Sequence, residues 1–416
     1  MFKSIEQRFE DYLNFLNFKT IMRRSVPISF FDNEYKNKSD FAGIVLRFKA
    51  GSSHESRNSL YEGFPGYCDT AHLLEHCIAR RIQTENPKLF KLGKNFNAIT
   101  GHYATVFHGK VKKRYWKDFF SQMIGGIRKF QNFDDERLLK IEIERISSEN
   151  CENSNQKLEK IFYKKLFNNP WINLDYTSFN SLKFKPSKKE IMAFYEMFYN
   201  RRNLEIYVGK KLSKENLEFI ALELETLPLG MKATKPEFIC NSEPGLYSIK
   251  GHSQDSKISI GCVLNNTKKN SLDASLFNNV LEKRIGILSY PLGLCYSSDT
   301  SIQNYSKKIN TIEIFTSTLN KKKDLLINAI IDNILLLKDE GINEKEFNAS
   351  LSEIKEFLNE QVENLEFILD LKLKKTTFEF KNLLKNINNI KLEKFNYFLK
   401  KAIPEREKMV IIYEKT

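Results

Sequence analysis

Thr70-Ala71-His72-Leu73-Leu74-Glu75-His76-Cys77-Ile78-Ala79-Arg80 is the stretch that decides how the rest of the chain is read. As a helix it sets His72 and His76 four residues apart on one face, with Glu75 beside the second histidine. Two imidazoles at that spacing can share one Zn²⁺, and a neighbouring carboxylate can take a proton from water held by the ion. The order H-x-x-E-H is the inverse of the H-E-x-x-H zinc-hydrolase signature. The plain alternative is a buried helix with two incidental histidines. With 6 histidines in 416 residues, that coincidence next to a correctly placed glutamate has a chance of roughly one in a hundred. The metal reading needs a third ligand from elsewhere. A helix expected over 135–150 offers Glu142, Glu144 and Glu149, with Glu152 just beyond it.

Outward from this helix, Phe41 to Lys49 reads as a strand, residues 54–69 as a loop, and Tyr103 to Val111 as a second strand. Trp116, Phe119, Phe120, Met123, Ile124 and Ile127 recur at helical intervals. Asp134 or Asp135 is a plausible N-cap for the helix that follows. Further helices are expected over 155–167 and from Ser187, where Ser187 and Glu190 form a capping box. Asn203 to Gly209 closes this half as a strand. Residues 4–22 carry apolar positions at helical spacing and are expected to be an amphipathic helix.

The second half repeats this order at an offset of about 206 residues. Ser256 to Leu264 stands where Phe41 to Lys49 stood, Lys323-Asp324-Leu325-Leu326 to Leu337 followed by Asp339 to Phe347 mirrors Lys117-Asp118-Phe119-Phe120 to Phe130 followed by Asn132 to Glu136, and Met409 to Tyr413 ends the second half as a strand. The expected organisation is a zinc-binding domain over 1–212, a linker over 213–244 and a related domain over 245–416. Nothing in the second half corresponds to His72, Glu75 and His76.

Net charge is +14 with pI near 9.2, spread along the chain in short runs beside helical patterns. It favours acidic partners mildly and leaves no nucleic-acid footprint. The 6 cysteines show no C-x-x-C spacing, which fits free thiols in a reducing compartment. Met1-Phe2-Lys3-Ser4-Ile5-Glu6 has no apolar signal core, and no run of about 18 apolar residues occurs. A cytoplasmic protein with no membrane span is expected.

The spacing of His72-x-x-Glu75-His76 and of Glu142-x-x-x-Ile146-x-x-Glu149 resembles the pitrilysin/insulinase family of inverted zinc metallopeptidases, which includes mitochondrial processing peptidase. Phe48-Lys-Ala-Gly51-Ser52 with Glu55, Asn97-Ala98-Ile-Thr100 and Tyr199-x-x-x-Asn203-Leu resemble further family segments. The resemblance covers most of the chain. It implies an α+β fold of two homologous domains, each a mostly antiparallel sheet with helices packed on one face. It implies one Zn²⁺ per chain on His72, His76 and Glu149, Glu142 as a support of the site, and Glu75 as the base. Asn97 and Ala98 would lie on an edge strand that receives substrate, and Tyr296 would belong to the family's second-half Arg/Tyr segment. That segment departs from the pattern: Ser289 stands seven residues before Tyr296, and Arg284 fits better the arginine that precedes the segment. The implied function is endopeptidase cleavage of peptides or unfolded precursors, including leader removal, with general peptide degradation as an alternative. Half-size relatives work as dimers, so a heterodimer with a related zinc-less subunit is favoured over a homodimer. A non-catalytic or regulatory subunit is the competing reading.

Overall fold

The computed structural model describes residues 8, 18–31, 41–55, 70–85, 93–101, 103–149, 154–167, 186–234, 240–251, 254–265, 272–289, 292–304, 309–361 and 383–415. Its strands are β1 (Phe18–Arg23), β2 (Val26–Phe31), β3 (Phe41–Phe48), β4 (Gly93–Thr100), β5 (Thr105–Lys112), β6 (Leu204–Lys211), β7 (Gly245–Lys250), β8 (Asp255–Val263), β9 (Ser298–Asn304), β10 (Asn310–Leu319) and β11 (Val410–Lys415). Its helices of eight or more residues are α1 (Thr70–Glu85), α2 (Trp116–Lys129), α3 (Glu136–Glu149), α4 (Ser154–Phe167), α5 (Lys188–Phe198), α6 (Lys214–Glu225), α7 (Leu272–Ser289), α8 (Lys323–Asp339), α9 (Glu344–Gln361) and α10 (Leu392–Ala402). Among the described residues no helix is long and apolar enough to cross a membrane.

The chain divides into two compact units, one of residues 13–151 and 177–237, the other of residues 1–12, 152–176 and 238–416. The first holds a six-stranded sheet in the order β1-β2-β6-β3-β5-β4, the second a five-stranded sheet in the order β7-β11-β8-β10-β9. In each sheet one pair is parallel, β2 with β6 and β7 with β11, and every other pair is antiparallel. Position for position the two orders coincide once β1 is set aside, so the internal repeat legible in the sequence is a repeat of topology. A shift of 207 residues carries the 3-10 turn 113–115 and the start of α2 onto turn 320–322 and α8, and 208 carries α3 onto α9. The fold is α+β, as expected.

The expected helix over 4–22 is corrected at its C-terminal end. Arg8 is helical, but Phe18–Arg23 is a strand paired with Val26–Phe31. The hairpin turns on Arg24 and Ser25, with φ of 48° and 70°, the left-handed pair that a two-residue hairpin turn requires. Neither residue is the glycine or asparagine that would announce such a turn, so helical spacing was the only signal. Thr20 and Ser29 hydroxyls meet across the pair at 2.9 Å.

The cores follow strand and helix periodicity. In the first unit Ile44, Leu46 and Phe48 of β3 pack with Leu73, Leu74, Cys77 and Ile78 of α1 and with Phe119, Phe120 and Met123 of α2. A Cβ at Gly126 would meet Ile82 Cγ1 and lie 3.2 Å from the Ile82 backbone. The missing side chain therefore lets α2 rest directly against α1. The expected N-cap is Asp135, whose Oδ1 accepts from Leu138 N at 2.8 Å. The capping box at Ser187 and Glu190 forms. Within the expected linker, Leu217, Ile220 and Leu224 of α6 are buried in this same core.

In the second unit Ile258, Ile260 and Cys262 face α7, α8 and α10. The intervening register faces the other way: Val410 and Ile412 pack under Leu158, Phe162, Leu166 and Phe167 of α4, as the period of two in a strand dictates. Gly261 makes that fit, since a Cβ there would fall 2.6 Å from the Phe162 ring. So α4, which precedes the strand that closes the first sheet, is packed on the second sheet, on the face opposite the other helices.

Candidate metal centre and its cleft

The turn before α1 sets the helix in place. Ser52–His54 forms a single 3-10 turn after β3, and the next residue, Glu55, sends its carboxylate to the start of the helix, where Oε1 accepts from Ala71 N at 2.8 Å. A carboxylate there satisfies an orphan amide and complements the positive end of the helix dipole. Residues 56–69, including Cys68, lie outside the described residues.

His54 is buried in this turn, its ring edge-on to Phe198 at 5.3 Å between centroids. Gly51 N donates to its Nδ1 at 3.2 Å, which uses the lone pair that a second ring proton would need. Burial lowers its pKa from 6.5 to about 4. The folded state therefore holds His54 neutral while the unfolded chain protonates it below 6.5. Its stability contribution is full above pH 6.5 and is lost as pH falls through 4, by up to about 3 kcal/mol. Urea unfolding is expected to show this decline between pH 7 and pH 4, and His54→Gln is expected to flatten it.

On α1 the apolar side chains face the core and the other face opens to a cleft. His72 and His76 are half-buried; Glu75 is buried at 5% exposure. The two imidazoles converge: His72 Nε2 and His76 Nε2 are 3.1 Å apart, with ring planes at 86°. Together with a Glu75 carboxylate oxygen, their ligand atoms lie within 4.8 Å of one another. Two nitrogens each 2.0–2.1 Å from a tetrahedral ion stand about 3.3 Å apart, so the observed spacing fits a shared zinc.

Behind His76 stands Glu142 of α3, 1% exposed, with Oε2 3.2 Å from His76 Nδ1. If Nδ1 carries the ring proton, it donates to this carboxylate and Nε2 is left as a lone pair aimed at the metal position. Arg145 Nη1 reaches both Glu142 oxygens at 3.4 Å. Glu149 is the last residue of α3, seven positions beyond Glu142 and so on nearly the same helix face. Its side chain lies outside the described residues.

The cleft of about 410 Å³ beside these groups is floored by α1 and walled by Phe96 to Thr100 of β4, with Asn97 exposed and Ala98 half-buried. Among the described residues β4 is the outermost strand of its sheet, with no strand opposite one of its edges. The structure thus brings His72, Glu75, His76, Glu142, Asn97 and Ala98 to one cleft, while Tyr296 belongs to the other unit and is 66% exposed. Arg284 is held by Glu346 through two bonds, Nε–Oε1 at 2.9 Å and Nη2–Oε2 at 3.0 Å. Arg80 and Gln83, four and seven residues after His76, also line the cleft. Their helical spacing was the signal for them.

In the second unit the helices equivalent to α1 and α3 carry Asn279 and Lys283 on α7 and Ser350 and Glu353 on α9. These four also meet. Lys283 Nζ lies 2.8 Å from Glu353 and 3.3 Å from Ser350 Oγ, and Asn279 Nδ2 donates to Glu353 at 3.0 Å. An ammonium and a carboxylate pair where the first repeat gathers imidazoles.

Residues 186–354 match the family model described as Peptidase M16 inactive domain. That stretch begins after both α1 and α3, takes in α5, β6 and α6 of the first unit and much of the second, and contains none of His72, Glu75, His76 or Glu142. No curated protein sequence matches the chain. A protease from Helicobacter pylori shares the fold with a TM-score of 0.77 at 13% identity, over 96% of this chain and 99% of that one. The peptidase M16 inactive domain from Pseudomonas fluorescens does so with 0.73 at 14% identity, over 96% and 98%. The periplasmic protease PqqL from Escherichia coli is matched with 0.69 at 10% identity, over 95% of this chain but 46% of its own length. At these identities the likeness shows a common M16-like α+β fold.

Proposed function

We propose that this chain is the zinc-binding half of a peptide hydrolase. The observation that carries the reading is the convergence of His72 Nε2 and His76 Nε2 at 3.1 Å, with Glu75 beside them and Glu142 on His76 Nδ1. His72, His76 and Glu149 would hold Zn²⁺. Bound zinc supplies Lewis acidity for a peptide carbonyl and brings the pKa of water near 7. Glu75 takes the proton from the attacking water and returns it to the leaving amine. Glu142 keeps His76 in the tautomer that ligation requires. Substrate adds as an extended segment to the free edge of β4, so peptides and unfolded precursor segments are favoured over folded proteins. Leader or precursor processing is the role we favour over general peptide turnover.

The chain matches just under half the length of PqqL, which supports work as a dimer. With Ser289 seven residues before Tyr296 and Arg284 committed to Glu346, we favour a related zinc-less chain as partner over a second copy. The free thiols of Cys77, Cys240, Cys262 and Cys295 fit a reducing, cytoplasmic setting. The description of the matched family model favours a second reading, a non-catalytic subunit. The two separate in one experiment. The zinc-loaded chain is assayed on unstructured peptides, alone and with a co-encoded related chain. Cleavage that a chelator abolishes and zinc restores supports the hydrolase, whereas zinc binding without cleavage in either mixture overturns it.

A further inference from the structure

The cleft's charge is arranged in two layers. Its acidic groups, Glu75 and Glu142, are 5% and 1% exposed, and Glu142 is committed to His76. Among the described residues the exposed lining charges are both cationic. Arg80 lies on the His72–His76 face of α1, and Arg145 is 53% exposed and tied to Glu142 only at 3.4 Å. Arg80 has no ion-pair partner among the described residues. Gln83, Asn97 and Thr100, which also line the cleft, are neutral.

Spacing relates this charge to the reacting bond. Arg80 is about 6 Å along the helix from His76. Side chains on one face of an extended peptide recur at about 6.6 Å. On a peptide lying along α1, a guanidinium there would stand level with a side chain flanking a bond held over the histidines. We infer that Arg80, assisted by Arg145, forms an acid-selecting subsite, so that preferred substrates carry Asp or Glu within about two residues of the scissile bond. The inference rests on the cleft being a peptide-hydrolysing site and adds the substrate's chemistry to it. A guanidinium and a carboxylate pair through two parallel hydrogen bonds in a cleft of reduced dielectric, which an asparagine in the same place cannot match.

The test uses the full zinc-loaded chain, paired with its partner if cleavage needs one, and peptides identical but for one residue, Asp, Asn or Lys, stepped across the cleavage site. Wild type is expected to prefer Asp to Asn by about tenfold or more in kcat/KM at the best position. Arg80→Gln is expected to collapse that ratio and Arg80→Glu to turn the preference toward Lys. Rising salt should shrink the wild-type ratio. Binding of the same peptides to Glu75→Gln, read by fluorescence anisotropy, separates this inference from the hydrolase reading. Tighter binding of Asp peptides that Arg80→Gln removes supports the subsite even where no cleavage occurs. Cleavage with equal ratios in wild type and Arg80→Gln overturns the subsite and leaves the hydrolase standing. Absence of both cleavage and binding overturns both.

Discussion

Glu75→Gln is expected to lower peptide cleavage by about a thousandfold while leaving zinc content at one ion per chain. The substitution keeps the side chain's size and its capacity to accept a hydrogen bond, so the packing of α1 around a 5%-exposed site is little disturbed. What it removes is a group that can take a proton and give it back, a contribution worth about 10²–10⁴ in rate. Metal analysis and single-turnover cleavage of a fluorogenic peptide on the same preparation check both halves of the statement. Near-wild-type turnover by Glu75→Gln would mean that the base is another group and that Glu75 lies beside the histidines for structural reasons alone.

Glu149→Ala is expected to cost the protein most of its zinc. Two imidazoles 3.1 Å apart make half of a tetrahedral site, and a catalytic zinc takes three protein ligands. The family resemblance implies Glu149 as the third, with Glu142 supporting His76 at Nδ1. Glu149 lies two turns further along the same face of α3. Loss of a direct ligand should weaken zinc by more than the 10- to 100-fold that loss of a supporting residue causes. Titration with a competing chelator therefore ranks Glu149→Ala below Glu142→Gln, and both below wild type. Equal zinc affinity in Glu149→Ala and wild type would move the ligand to Glu144 or Glu152.

The parts of this protein that were legible in sequence are those in which local pattern and tertiary role coincide. His72, Glu75 and His76 share a helix face wherever that helix packs, so four-residue spacing was enough. Glu142 was legible through a spacing that the resemblance supplied, and the structure sets its carboxylate against His76 Nδ1. The repeat was legible because Trp116 and Lys323 open equivalent helices after equivalent strands. The β1–β2 hairpin was not, because Arg24 and Ser25 adopt left-handed backbone without the residue types that advertise it. Nor did anything local say that Leu158 and Phe162 would pack against Val410 and Ile412. An amphipathic stripe specifies that a helix is buried and leaves open on which sheet. Arg80 was passed over for a related reason: a charge at helical spacing is usually a solvated face, and only the cleft distinguishes this one.

The Lys283–Glu353 pair bears on how a duplicated chain can divide its labour. Both repeats bring polar side chains together between the same two helices, and each must neutralise what it gathers there. The second does so with a charge that is part of its own covalent chain, complete as soon as translation and folding are. On the reading proposed above, the first repeat instead depends on an ion captured from its surroundings. Zinc scarcity would then silence one half while the other kept its shape.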